Sequence, residues 1–193
     1  MRYEKGHKEA TRARIIEIAS RRFRAEGIEA VGVASLMADA GLTHGGFYSH
    51  FPTKDALIAA AVGDAMVRGD QRLRSAAKSE KIGLHGIIDF YMGAEHRDHP
   101  ERGCAAAALA SELPHHPLDT RLMAAKTVDD RIALIAEYLP DTVLPEAKQD
   151  RATAIMSTMM GALQLARLAT DEATSQRFLT VGAQTARDIA DML

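Results

Sequence analysis

The chain has 193 residues, of which 47% are hydrophobic and 26% charged. That is enough apolar material to bury a core, and it excludes a disordered chain. No apolar run approaches the roughly 18 residues of a spanning helix. The charged N-terminus lacks the continuous apolar stretch of a signal peptide, and a single Cys allows no internal disulfide, so the expected location is the cytoplasm. The net charge of −2 divides unevenly: residues 1–55 carry 9 Lys and Arg against 7 Asp and Glu, the remainder 15 against 19. The basic residues between Arg2 and Arg24 permit an anionic partner near the N-terminus; a solvated helix face accounts for them equally well.

In chain order, nearly every segment reads as helix. From Glu9 to Glu26, Ile15, Ile16, Ala19 and Phe23 form one apolar stripe that Gly27 ends. Val33, Leu36, Met37 and Ala40 make a short second helix stopping at Gly41. A third starts after Thr43, whose hydroxyl is suited to cap its first turn, and must finish before Pro52. Thr53 caps a long fourth helix running towards Lys78 with Asp55 at its positive end. Gly63 and Gly69 interrupt that helix, and the pattern predicts a pliable rod. "IGLHGIIDFYMGAEHR" reads as a fifth helix and "PERGCAAAALASELP" as a small-residue sixth. Leu118–Leu139, Glu146–Ala169 and Thr174–Leu193 complete the set. The last two are amphipathic, with Ile155, Met159, Leu163 and Leu168 on one, and Phe178, Val181, Ile189 and Leu193 on the other. The fold class is all-α, with about nine helices: a small N-terminal three-helix unit (residues 1–53) joined by the long helix to a larger bundle (residues 54–193).

Three of the chain's nine Phe and Tyr residues fall within Phe47–Phe51, beside the pair Gly45-Gly46. Two short helices about a Gly turn on a three-helix scaffold form the helix-turn-helix pattern. Gly41 supplies the positive φ of the turn, and Leu42 plugs the turn into the core. Gly45 and Gly46 weaken the next helix but permit close approach to a nucleic acid. Phe47 and Phe51, four apart, turn inward. Tyr48, His50 and Lys54 are left to donate to phosphate oxygens.

"VASLMADAGLTHGGFYSHFPTKDALIAA" resembles the DNA-binding signature of the TetR family of transcriptional regulators. The likeness lies in a short helix ending A-G-L, the capped Gly-containing segment with F-Y-S-H-F, and P-T-K-D-A-L. It covers roughly residues 10–60. Later stretches, "RGCAAAALASEL" and "GALQLARLATDEATSQRFL", are similar to one subset of the family. The resemblance implies base or groove contact by Thr43, His44, Gly46 and Ser49, with Gly45 beside them, and phosphate contact by Tyr48, His50 and Lys54. One departure stands out: Val31-Gly32 occupies the place where the family usually has a Thr or Ser capping the second helix.

A regulator needs an input. Phe90, Met92, Leu109, Leu113, Met123, Met156 and Met160, with Tyr91, Leu122 and Met159, are candidates to line a cavity for a small apolar or amphipathic ligand. Met suits a loosely specified site, although ordinary core packing explains any one of these residues. His96, His99, Cys104, His115 and His116 gather metal-ligand residue types within about twenty positions. Their spacing is not that of a structural zinc site, and no metal is assigned. Cys104, near the start of the sixth helix, is a candidate redox-responsive thiol, with a small buried hydrophobe as the alternative. No phosphate-binding loop, nucleophile elbow or cofactor motif is present, so neither an enzyme nor a cofactor is expected. The expected assembly is a homodimer through the last two helices, with Gly161 and Ala162 allowing close approach, on a near-palindromic double-stranded operator. No membrane partner is expected. A helical adaptor that binds only proteins would explain the last two helices but not the Gly-Gly-Phe-Tyr segment.

Overall fold

The computed structural model describes residues 5–79 and 83–192. Arg2, Ile82 and Leu193, named above, lie outside them. The described residues form nine α-helices and three short 3-10 helices, with no strand. The α-helices are α1 (Lys5–Glu26), α2 (Val33–Asp39), α3 (Lys54–Ser79), α4 (Gly83–Tyr91), α5 (Ala94–Asp98), α6 (Ala105–Leu109), α7 (Leu118–Glu137), α8 (Pro145–Leu168) and α9 (Glu172–Asp191). They divide into two compact units, Met1–Arg68 with Pro100–Ala125, and Gly69–His99 with Lys126–Leu193. Residues 100–125 therefore group with the N-terminal helices.

In the first unit most of the predicted stripe of α1 is core: Ile15, Ala19 and Phe23 are buried with Leu36, Met37, Phe47, Phe51, Leu57 and Ile58, while Ile16 is half-buried. Burial of each of the larger side chains contributes about 1.5–3 kcal/mol. Gly27, at φ 90, ends α1 as predicted, and its N–H donates to Phe23 O at 2.9 Å. The segment 100–115 fastens to this end of α1 at two points. Arg24 is buried and donates through Nε to Glu101 O at 3.0 Å. The Glu112 carboxylate accepts from the N–H groups of Ile28 and Glu29 at 2.8 and 3.3 Å. Arg24 is thus an internal anchor and not a surface cation.

The expected sixth helix is broken. It consists of a 3-10 turn (Pro100–Arg102), the five-residue α6 and a second 3-10 turn (Leu113–His115). In α3, a Cβ on Gly63 would stand 2.8 Å from Met123 Sδ of α7. The Met123 side chain is flexible and partly exposed, so it can shift to admit a Cβ there.

In the second unit α8 and α9 pack as an antiparallel pair. Gly182 meets Ala162 so closely that a Cβ on it would lie 2.3 Å from the Ala162 Cβ. Ala162 thus serves contact within the chain. Asp171 caps α9, accepting from Thr174 N at 2.8 Å. The expected fifth helix breaks at Met92-Gly93 into α4 and α5. There the buried His96 folds back so that its Nδ1 lies 2.7 Å from Tyr91 O, its ring edge-on to the Tyr91 ring. Arg167 of α8 donates to His96 O and Arg97 O at 2.7 and 3.2 Å, which fixes the break. Arg131, also buried, donates to Asp70 at 2.7 Å. Among the described residues, no helix is long and apolar enough to cross a membrane.

Candidate nucleic-acid interface

The turn after α2 follows from its glycine. Gly41 has φ 68. Its N–H donates to Ala38 O at 2.9 Å, and the Leu42 N–H reaches back to Met37 O at 2.8 Å. This pair of bonds is the Schellman closure, which needs a residue with positive φ at that place. Leu42 is half-buried. Gly32 sits at the N-cap of α2 in extended conformation with no side-chain cap, and Ser35 Oγ donates to Gly32 O at 2.9 Å.

The segment that follows, His44–Ser49, is a 3-10 helix, where the pattern predicts an ordinary helix. Two glycines in its first half and Pro52 just beyond leave too little chain for a regular i→i+4 ladder, and the tighter form is usual in such short pieces. Thr43 occupies the N-cap, but its hydroxyl makes no capping bond, contrary to expectation. Its carbonyl accepts from Gly46 N at 3.0 Å, and Ser49 Oγ donates to Gly46 O at 2.7 Å.

The aromatics divide as the spacing predicts. Phe47 and Phe51 are buried, with ring centroids 5.7 Å apart and planes 27° from parallel. Tyr48 is 67% exposed, and its ring stands edge-on to Phe47 at 5.3 Å and to His44 at 6.5 Å. His44, Gly45 and Ser49 are exposed with it. A Cβ on Gly45 would meet nothing within 4 Å; one on Gly46 would make ordinary contacts with Met37 and Thr43 at 3.7 Å. Tyr48, His44, Gly45 and Ser49 thus form an open polar face over a pinned apolar underside.

Lys54 and His50 stand differently. Lys54 Nζ donates to Ile28 O at 3.0 Å, so its ammonium braces the turn after α1. Thr53 caps α3 as predicted, its Oγ1 accepting from Ala56 N at 3.1 Å. His50 is half-buried, with Nδ1 sealed from solvent and without a hydrogen-bond partner. Burial, reinforced by Lys8 and Arg12, holds this imidazole below its usual pKa. Sequence reasoning did not single out Arg12. Its guanidinium lies 4.7 Å from the centroid of the Phe51 ring, a cation–π contact for which a lone sequence carries no signal.

The remaining candidates fall in both units. Leu109 and Leu113 are buried and Met123 is partly exposed in the first, whereas Met92, Met156 and Met159 are buried and Met160 half-buried in the second. In α4, Leu84, Ile87, Ile88 and Tyr91 are buried, whereas Phe90 is 45% exposed. Leu122 is likewise mostly exposed. A cleft of about 540 Å³ in the first unit is lined by Glu29, Asp55, Glu112, His115, His116 and Pro117. Five of its six lining residues are acidic or His, and none of the Met residues expected to line a site is among them. Cys104 is buried as the N-cap of α6, its Sγ accepting from Ala107 N at 3.4 Å. His96 is held neutral, its pKa pushed down to about 4 chiefly by burial. Among the described residues no three His, Cys, Asp or Glu side chains converge to hold a metal ion.

Residues 15–61 match the family model of bacterial regulatory proteins, tetR family. No curated protein matches the chain by sequence. Solved structures resemble it along nearly its whole length. The transcriptional regulator of the TetR family from Cytophaga hutchinsonii shares 18% identity, covering 99% of this chain and 100% of that one, with a TM-score of 0.77. A TetR-family regulator from Agrobacterium tumefaciens shares 21%, covering 92% and 98%, at a TM-score of 0.74. The reduced form of NemR from E. coli shares 19%, covering 90% and 95%, also at 0.74. At these identities the likeness establishes the fold.

Proposed function

We propose, from the match of residues 15–61 to the family model of bacterial regulatory proteins, tetR family, that the chain is a dimeric cytoplasmic repressor of that family, released from a near-palindromic operator by a small apolar or amphipathic ligand. The observation that carries the DNA reading is the open face of Tyr48, His44, Gly45 and Ser49 on a segment pinned by Phe47 and Phe51. A two-fold dimer would present two such faces to successive major grooves, about 34–36 Å apart or a multiple of that.

The dimer reading is supported by the outward stripe of the last two helices. Leu165, Leu168 and Val181 are exposed, and Gly161 has open space where a Cβ would stand. Residues 1–53 would read DNA, and residues 54–193 would bind ligand and dimerise. A ligand acts only through its different affinities for the operator-competent and released arrangements. A thiol-responsive variant of this reading would use Cys104; it requires opening of a buried site. The adaptor reading leaves the exposed Tyr48 face without a purpose.

The test is fluorescence anisotropy on an operator selected from random DNA. Sequence-preferring binding that falls steeply with salt and weakens about tenfold or more in Tyr48→Ala supports the proposal. Equal, weak binding to all DNA by the wild-type protein refutes it.

A further inference from the structure

The cleft of about 540 Å³ in the first unit has no part in the DNA reading. Three carboxylates line it: Glu29 from the turn after α1, Asp55 from the first turn of α3, and Glu112 from the segment before α7. Among the described residues none of the three pairs with a Lys or Arg. Glu112 accepts from the N–H groups of Ile28 and Glu29. Glu29 and Asp55 are exposed, and neither carboxylate accepts a hydrogen bond from another described residue. Lys54, beside Asp55 in the chain, is turned to Ile28 O.

Acidic residues alone need no ligand, because water can cover them. His116 sets this cleft apart. Its side chain lines the cleft and is only 9% exposed, yet the ring makes no hydrogen bond among the described residues. Asp55 Oδ1 lies 3.8 Å from its Nδ1, too far for one, although a polar group so buried ordinarily has a partner. With the ring neutral and its proton on Nε2, these two atoms are both acceptors. Acceptors 3.8 Å apart can share one donor nitrogen at about 2.9 Å from each, and an ammonium, with several N–H groups, serves both. The rest of the lining narrows the occupant. Among the described residues no three His, Cys, Asp or Glu side chains converge on one metal ion, so the charges that answer these carboxylates must sit apart. No Phe, Tyr or Trp lines the cleft, and the aromatic walls that hold a quaternary ammonium are therefore missing.

We propose that this cleft binds an aliphatic polyamine, with one ammonium shared by Asp55 and a neutral His116 and a second ammonium answered by Glu29. The site is separate from that of the apolar or amphipathic ligand proposed above and does not depend on the DNA reading. Its occupant ties the start of α3 to residues 112–117, beside the bonds that Glu112 already makes to the turn after α1.

The test is isothermal titration of the full chain with spermidine and with n-butylamine, at about 0.15 M salt so that diffuse surface attraction is screened. One spermidine should bind per chain, about tenfold or more tightly than n-butylamine, because the second ammonium adds a charge-assisted contact. Asp55→Asn and His116→Phe should each weaken spermidine about tenfold. Glu29→Gln should weaken spermidine and leave n-butylamine unchanged, since the single ammonium occupies the other end. Glu146→Gln, which removes an exposed charge at the start of α8 in the second unit, should alter neither. Thermal melting checks that each variant is folded; if His116→Phe is not, the two carboxylate variants decide. The absence of saturable spermidine binding to the wild-type chain would overturn the site. So would losses in Asp55→Asn and Glu29→Gln no greater than in Glu146→Gln, because the attraction would then belong to the surface at large. Equal affinities for spermidine and n-butylamine would refute the two-point contact.

Discussion

Gly182 is the position where a single methyl group should do the most damage, and the damage should be reversible by moving that methyl across the interface. A Cβ there would lie 2.3 Å from the Ala162 Cβ and 3.0 Å from Met92 Cε. The Met tip can swing aside; the Ala162 Cβ, fixed to the backbone of α8, cannot. Gly182→Ala must therefore push α8 and α9 apart by more than 1 Å, about the shortfall from ordinary van der Waals contact. Overpacking of this kind costs about 1–3 kcal/mol or more, against a gain of about 1 kcal/mol for replacing a glycine inside a helix. Because the obstructing Cβ is fixed to the backbone, the overpacking cost lies at about 2–3 kcal/mol, so the expected net loss is about 1–2 kcal/mol, or a fall in Tm of roughly 2–8 °C for a chain of this size. Adding Ala162→Gly removes the obstructing atom, leaving the Ala162 Cα at 3.8 Å. The helix-propensity changes of the swap cancel, so the double variant should return to within about 0.5 kcal/mol of wild type. Urea unfolding of the four proteins, analysed as a double-mutant cycle, measures this directly. If Gly182→Ala is neutral, or if Ala162→Gly fails to rescue it, the close α8–α9 contact is not as described.

Three further outcomes follow from the same structure. Gly45→Ala should leave stability unchanged or raise it by about 0.4–1 kcal/mol, because its Cβ enters open space and the unfolded chain loses freedom, while operator affinity drops by about tenfold; a variant that binds as tightly as wild type would show that Gly45 does not approach DNA. Glu112→Ala removes the acceptor for the Ile28 and Glu29 N–H groups, and urea unfolding should show a loss of about 1–3 kcal/mol, with Glu112→Gln, which keeps an acceptor oxygen, losing less. His96 has a folded pKa of about 4 against an ordinary 6.5, so the unfolded chain binds more protons between these values; stability should be fully present above pH 6.5 and fall by about 3 kcal/mol as pH drops to 4. That fall should shrink in His96→Gln, and urea titrations at pH 7.5 and 4.5 that show no such difference would contradict the burial account.

The helices were legible because their signals are local. The stripe Ile15, Ala19, Phe23, the stop at Gly27 and the turn at Gly41 each depend on residues a few positions apart, and the structure places them accordingly. The inward turn of Phe47 and Phe51 was legible for the same reason. What escaped depends on partners distant in sequence. Nothing near Arg24 reveals that its guanidinium is buried on the Glu101 carbonyl, nor does anything near Lys54 reveal its bond to Ile28 O. The helix expected over 100–114 is a good small-residue pattern, yet it divides into a 3-10 turn, α6 and a second 3-10 turn, with Glu112 reaching backbone donors after α1. The fifth helix fails at Gly93 for a related reason: His96 and Arg167 supply the contacts that make a break stable. The 3-10 form of His44–Ser49 was partly foreshadowed by its glycines, but the missing Thr43 cap was not.

The proposed function stands or falls on the face that carries Tyr48 reading operator DNA. The most direct measurement is the anisotropy-detected affinity of wild type and Tyr48→Ala for an operator selected from random DNA, against unrelated competitor. Tyr48 is 67% exposed, so the variant should melt within about 0.5 kcal/mol of wild type yet bind about tenfold or more weakly, while the wild type resists competitor. A folded Tyr48→Ala protein with undiminished operator affinity would contradict the account.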